Sequence, residues 1–302
     1  MAALSEDFGY YPIRPSKVVA QGKTIEIYDL VGKDTTLFHH SINDGESSSG
    51  HSRPDKPACA STASGRPSEG TSTLTHDDQL SGVLEHARVV FFDFDGPVCD
   101  VFARLPACGV AKQLTALLSI QHEAAGAKAA ETDDPIEVLR IAHETDAAIA
   151  QAVEQALTAT EVEAVAVAGP PTPGAMEALQ AARSSGRAVV VVSNNSADCV
   201  QWFMELHGLG KYVARTIGRP SGEPPLMKPN PYPLISAAEQ VHVDITLSTL
   251  IGDSLTDIQA AHAAGATVIG YANKPHKAAL FAEAGADAIT DAIQDIADVL
   301  AA

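Results

Sequence analysis

From Arg88 onward, short runs of uninterrupted apolar residues recur along the chain: Val89–Phe92, Val189–Val192, Thr249–Ile251 and Thr267–Ile269. A run without polar alternation suits a strand covered on both faces, as in a parallel sheet sandwiched between helices. Between the runs, apolar positions recur at helical steps. Met176, Leu179 and Ala182 lead to Gly186, and Val200, Phe203, Met204 and Leu206 lead to Gly208 and Gly210. Leu255 to Ala264 ends at Gly265, and Ile293, Ile296 and Leu300 line the last segment. Glycine just past such a pattern is a helix stop signal. The alternation predicts an α/β fold, a doubly wound parallel sheet occupying residues 86–302.

Residues 101–168 break the alternation. They are rich in Ala, Leu, Glu and Gln, with apolar faces at Leu114, Leu117 and Leu118, at Ile136, Leu139 and Ala142, and at Ile149, Val153 and Leu157. This predicts a small all-helical insertion after the first core strand. Ahead of the sheet, residues 1–80 form an extension of different character. Lys23 to Leu30 alternates as a half-buried strand does, while Gly45 to Thr75 reads as Ser, Gly, Thr, Pro and Ala. Such a stretch buries too little apolar surface to offset its ordering entropy, so a mostly disordered N-terminal tail is expected. No internal repeat is found.

The charge narrows the possible partners. Lys and Arg number 20 against 38 Asp and Glu, a net charge of −18 in 302 residues. That argues against nucleic acid and anionic membrane surfaces, which are met by clustered basic residues. No apolar run approaches the roughly 18–20 residues that span a bilayer, and Met1 to Asp7 does not read as a secretory signal. The four cysteines, Cys59, Cys99, Cys108 and Cys199, have no paired spacing and read as free thiols. A cytoplasmic protein is expected. Nothing in the pattern fixes an oligomeric state.

Candidate chemistry gathers where the apolar runs end. The first run closes in Asp93-Phe94-Asp95-Gly96, two carboxylates at the carboxyl end of a buried strand. Ligands bind at that end of open α/β sheets. The second closes in Ser193-Asn194-Asn195 ahead of a helix, suited to an anion held by donors at a helix N-terminus. Lys228 sits in a proline-stiffened loop, and the third run closes in Gly252-Asp253-Ser254-Leu255-Thr256-Asp257. Each segment alone also fits a helix cap or a solvated loop. Together, in order and mostly at strand ends, they point to one site.

These motifs resemble those of the haloacid dehalogenase-like hydrolase superfamily, over roughly residues 86–301. The matching positions are Asp93 and Asp95, Ser193, Lys228, and Gly252, Asp253 and Asp257. The helical insertion looks like the cap of the phosphoglycolate phosphatase-like members. The chain departs from the pattern at Pro97, where Thr or Val is common, which stiffens the turn into the cap. Most members are magnesium-dependent phosphatases with a Rossmann-like core. The resemblance implies Mg2+ held by Asp93, the Asp95 main-chain carbonyl and Asp253. It implies Asp93 as nucleophile, forming an aspartyl-phosphate, and Asp95 as general acid and base. Ser193, Asn194 and Lys228 would hold the phosphoryl oxygens, and Asp257 would orient Lys228 or a metal-bound water. The expected partner is a small phosphorylated metabolite.

Residues 101–168 hold Arg104, Lys112, Lys128 and Arg140 against ten acidic residues. A sugar, aminosugar or cyclitol leaving group would be tolerated there better than a polyanion. A phosphomutase or phosphotransferase with the same intermediate is the alternative. A haloacid dehalogenase would have no use for Asp95 or for the Asp253 and Asp257 pair, and a non-catalytic protein would not need every motif position filled.

Overall fold

The structure, a computed structural model, describes residues 17–20, 23–26 and 76–302. Lys17–Ala20 (β1) and Lys23–Glu26 (β2) pair antiparallel, with Val18 opposite Ile25. The stretch from Gly45 to Thr75, expected to be disordered, lies outside the described residues, as does Cys59.

The elements that follow are α1 (His76–Glu85), β3 (Val89–Asp93), α2 (Ala107–Gln121), α3 (Glu123–Ala129), α4 (Pro135–Thr145), α5 (Ala147–Ala168), α6 (Ala175–Ser184), β4 (Ala188–Val192) and α7 (Ala197–Leu206). Next come β5 (Arg215–Ile217), α8 (Tyr232–Gln240), β6 (Ser248–Gly252), α9 (Leu255–Ala264), β7 (Thr267–Tyr271), α10 (Lys277–Glu283), β8 (Ala288–Thr290) and α11 (Ile293–Ala301).

The main sheet has the order β5-β4-β3-β6-β7-β8, and all its pairings are parallel. From β3 the chain builds outward through β4 to β5, then returns to lay β6 on the other side of β3. The order therefore reverses between β3 and β6, where the crevice at the strand carboxyl ends opens.

The sheet is covered on both faces, as the apolar runs require. Along β3, Val90 and Phe92 face a core made with Leu80 and Leu84 of α1, Leu179 of α6, Phe203 of α7 and Ile296 of α11. Val89 and Phe91 face the opposite core, with Leu234 of α8, Ile258 of α9 and Phe281 of α10. The four apolar runs are β3, β4, β6 and β7. The two edge strands β5 and β8 carry no apolar run; β5 is Arg-Thr-Ile and largely exposed, so the strand signal is weak there. A domain boundary at residue 86 leaves out α1, whose Leu80 and Leu84 are essentially fully buried in the sheet core.

Helices α2 to α5 form the insertion and have a core of their own, including Leu114, Leu118, Leu139, Val153 and Leu157. Each of its last two helices starts on an aspartate cap. Asp134 accepts from Ile136 N at 2.9 Å ahead of Pro135, and Asp146 accepts from Ala148 N at 2.8 Å. Helix α5 belongs to two layers. Val153 and Leu157 lie in the insertion core, while Ala164 and Val165 join the sheet core. It is the stem by which the insertion returns to the sheet. Among the described residues, no helix is long and apolar enough to cross a membrane.

Candidate active site

The ends of β3 and β6 bring Asp93 and Asp253 to the two sides of the switch point. Asp93 is the last residue of its strand and 6% exposed. Its Oδ1 accepts from Phe94 N at 2.7 Å and pairs with Lys228 Nζ at 2.8 Å. Burial pushes the Asp93 carboxyl well above the usual carboxylate range, and the charge of Asp257 adds to this, while Lys228 opposes it.

The chain then turns at Gly96, with φ +98°, and Gly96 N donates to Cys99 O at 2.7 Å. A Cβ on Gly96 would lie 2.5 Å from Asp253 Cγ, so only glycine lets this turn press against Asp253. The turn that Pro97 stiffens is also tied from beyond the insertion. Thr172 Oγ1 donates to Gly96 O at 2.7 Å, and Thr172 N to Val98 O at 3.0 Å. Asp95 Oδ1 accepts from Val101 N at 3.0 Å. Burial pushes the Asp95 carboxyl up to about 7 despite that bond.

Lys228, 2% exposed, bridges Asp93 and Asp257, the latter at 2.5 Å. Burial alone would favour the neutral amine, but the charges of Asp257 and Asp93 outweigh it and raise the Lys228 pKa above its ordinary value. Asp257 has little left to give a metal. Its Oδ1 takes Lys228, and its Oδ2 accepts from Ser254 N at 3.0 Å and Ser254 Oγ at 2.6 Å in the capping box that starts α9. The geometry suits Asp257 as the holder of Lys228.

Ser193 Oγ donates to Asn195 Oδ1 at 3.1 Å and accepts from Asn195 N at 3.0 Å. The Asn194 carboxamide is occupied by the Lys228 main chain, through Nδ2 to Lys228 O at 3.0 Å and Lys228 N to Oδ1 at 2.9 Å. Its main-chain N–H is therefore the Asn194 group available to a ligand.

Carboxylate oxygens of Asp93, Asp253 and Asp257 all lie within 4.8 Å of one another. Asp253 Oδ2 accepts from Asn273 Nδ2 at 2.9 Å and Lys277 Nζ at 2.7 Å, which turns Oδ1 over to another partner. Burial raises the Asp253 carboxyl, an effect that Lys277 opposes. An all-oxygen donor set beside a glycine turn fits a hard divalent cation.

Asn273 and Lys277, and the Arg219 and Glu161 pair described below, were not evident from motif spacing. Arg219 follows β5 and Asn273 follows β7, so polar residues just past every strand were the available signal.

Asp93, Asp95, Ser193, Asn194, Lys228 and Asp253 line one cleft of about 580 Å3, walled on the insertion side by Phe102, Thr132, Asp133, Asp134 and Ile136. Residues 87–265 match the family model of haloacid dehalogenase-like hydrolases. The chain belongs to this family.

Among its haloacid dehalogenase-like relatives, it is 34% identical over 132 residues to a plasmid phosphoglycolate phosphatase of Cupriavidus necator. That match covers 42% of this chain and 54% of the relative, so it spans about half that protein's length. It is 26% identical over 200 residues to the phosphoglycolate phosphatase of Neisseria meningitidis, covering 63% of this chain and 83% of that one. A predicted phosphoglycolate phosphatase from Haemophilus somnus shares the fold at TM-score 0.51 and 20% identity, over 71% of this chain and 98% of that chain. CbbY from Rhodobacter sphaeroides, solved in complex with phosphate, does so at 0.51 and 17%, over 69% and 95%.

Proposed function

We propose that this hydrolase is a magnesium-dependent phosphatase that cleaves a small phosphate monoester through an aspartyl-phosphate on Asp93. The observation that carries the reading is the pairing of Asp93 with Lys228 at 2.8 Å, across the switch point from Asp253.

Asp93 Oδ1 is taken by Phe94 N and Lys228, which leaves Oδ2 to attack phosphorus. Asp93, the Asp95 carbonyl and Asp253 would hold Mg2+, whose charge offsets the phosphate dianion. Lys228, the Ser193 hydroxyl and the Asn194 N–H hold the phosphoryl oxygens as charge builds on them. Asp95 gives its proton to the leaving oxygen as the P–O bond breaks. It then takes a proton from water, which attacks phosphorus and frees Asp93 and inorganic phosphate.

The cleft wall supports an uncharged or cationic leaving group, such as a sugar, cyclitol or aminosugar. Lys228 is the one basic residue among those lining the cleft, and it already pairs with two aspartates, while Asp133 and Asp134 face the leaving-group side. A carboxylate such as that of phosphoglycolate, which the relatives are named for, meets no basic group besides Lys228 among the described residues lining the cleft. The free thiols Cys99, Cys108 and Cys199 suit a reducing, cytoplasmic setting.

The test is phosphate release from an aryl phosphate with Mg2+ and with chelator, followed by a panel of sugar, cyclitol and carboxylate-bearing monoesters. Magnesium-dependent release that favours uncharged leaving groups is expected. Release undiminished in chelator, or none from any ester, would overturn the reading.

A further inference from the structure

We infer that Glu161, on the stem helix α5, is a positioning residue that sets the phosphate loop 193–196, with Arg219 as its buried counter-ion.

Glu161 is 0% exposed and Arg219 is 5% exposed, so this charged pair is folded into the protein rather than solvated. Four donors converge on the carboxylate. Asn195 Nδ2 reaches Oε1 at 3.2 Å and Ser196 N reaches Oε2 at 2.9 Å. Arg219 adds NH1 to Oε1 at 2.9 Å and NH2 to Oε2 at 3.3 Å. Only an ionised carboxylate offers acceptors to all four.

The contacts do more than balance charge, because they fall on consecutive residues of the loop. Since Glu161 can only accept, Asn195 must turn Nδ2 toward it, and this presents Oδ1 to the Ser193 hydroxyl at 3.1 Å. Arg219 NH1 also donates to Asn194 O, and Arg219 N to Asn195 O at 2.8 Å. The neighbouring backbone is pressed close, for a Cβ on Gly218 would lie 2.3 Å from Ala197 N. Asn195, which matches no family motif, thereby acquires a role: it carries the direction of Glu161 to Ser193. The pair reaches Asn194, Asn195 and Ser196 directly and Ser193 through Asn195.

Arg219 is held on its other side by Thr158 Oγ1 at 3.1 Å and by Glu154, whose Oε1 lies 3.5 Å from Nε. Among the described residues, Glu154 makes no hydrogen bond or ion pair with the phosphate loop; its other bond accepts from Gly222 N. It is the internal control for neutralising Arg219 without setting the loop.

The inference rests on the reading of loop 193–196 as a phosphate site, so the experiment uses a readout independent of turnover. Orthophosphate affinity in the presence of Mg2+ is measured by calorimetry on the full chain, with urea stability alongside. Glu161→Gln puts an amide donor against donors and should weaken orthophosphate about tenfold, roughly the cost of one misaligned hydrogen bond. Glu154→Gln should leave the affinity unchanged. In case Glu161→Gln is unstable, the triple variant Glu161→Gln, Glu154→Gln and Arg219→Leu removes the buried charges together and leaves none of them unpaired. It should recover stability without recovering affinity. Affinity that returns with stability, or a Glu161→Gln value equal to wild type, would overturn the positioning role. A wild type that binds orthophosphate in a Glu161-dependent way yet hydrolyses no ester would sink the phosphatase reading alone.

Discussion

Lys228→Met removes the one cation lying between Asp93 and Asp257, at 2.8 and 2.5 Å from their oxygens. Methionine keeps most of the volume, so the loss is electrostatic. Asp257 is 0% exposed and Asp93 is 6% exposed, and neither can regain water without opening the site. Stripping one partner from a buried charged set costs about 3–5 kcal/mol. With a urea m-value of about 2 kcal/mol per molar, the midpoint should fall by about 2 M. The assay is urea unfolding in chelator, followed by far-UV circular dichroism and by the emission of Trp202, the chain's single tryptophan. The deficit should depend on pH. Burial already raises Asp93 in the wild type, and losing Lys228 raises it further. A raised carboxyl contributes stability below its unfolded pKa and loses it as pH rises through the folded value. The variant should therefore lag least near pH 4 and increasingly as the pH rises from there. Adding Asp93→Asn should recover part of the loss. A midpoint unmoved at pH 8, or a deficit that grows on acidification, would refute the argument.

Asp253→Asn should raise the Mg2+ concentration for half-maximal activity and lower the maximum rate, read from parallel metal titrations. Leu84→Ala should cost about 2–5 kcal/mol in urea unfolding, because Leu84 is 1% exposed in the sheet core even though it lies outside the family-matched segment. Asp95→Asn should gain stability relative to wild type as the pH of the metal-free protein rises. Burial lifts Asp95 from 3.8 to about 7, so its favourable protonated contribution is full below pH 4 and lost through about 7. Urea midpoints of both proteins across that range check the sign.

Reading the chain as a sequence worked best where one physical rule governed several residues at once. The four apolar runs are strands because a doubly covered parallel sheet leaves no polar face, and β3, β4, β6 and β7 follow. The separate helical core was legible because Leu114, Leu118, Leu139, Val153 and Leu157 repeat at helical steps. What escaped lacked such a rule. β5 and β8 are three-residue edges. Helix α1 carries Leu80 and Leu84 four residues apart, but it abuts a low-complexity stretch that drew the boundary past it. Arg219 and Glu161 stand 58 residues apart, and only the fold brings α5 against the loop after β5. The same holds for Lys277 and Asp253, which are joined across the turn beyond β7. Spacing could mark the strand-end carboxylates and Lys228, but not Asn273, Lys277, Glu161 and Arg219, which only the fold brings to the site.

The most direct measurement of the central claim is acid-quench mass spectrometry of Asp95→Asn mixed with Mg2+ and an aryl phosphate whose leaving group needs no proton. That variant keeps the Asp93 nucleophile and loses the group assigned to activate water, so a phosphoryl adduct should accumulate on the peptide containing Asp93. It should disappear with hydroxylamine and be absent when Asp93→Asn is added. Turnover with no adduct, or a phosphoryl group found on Ser193 instead, would contradict the account.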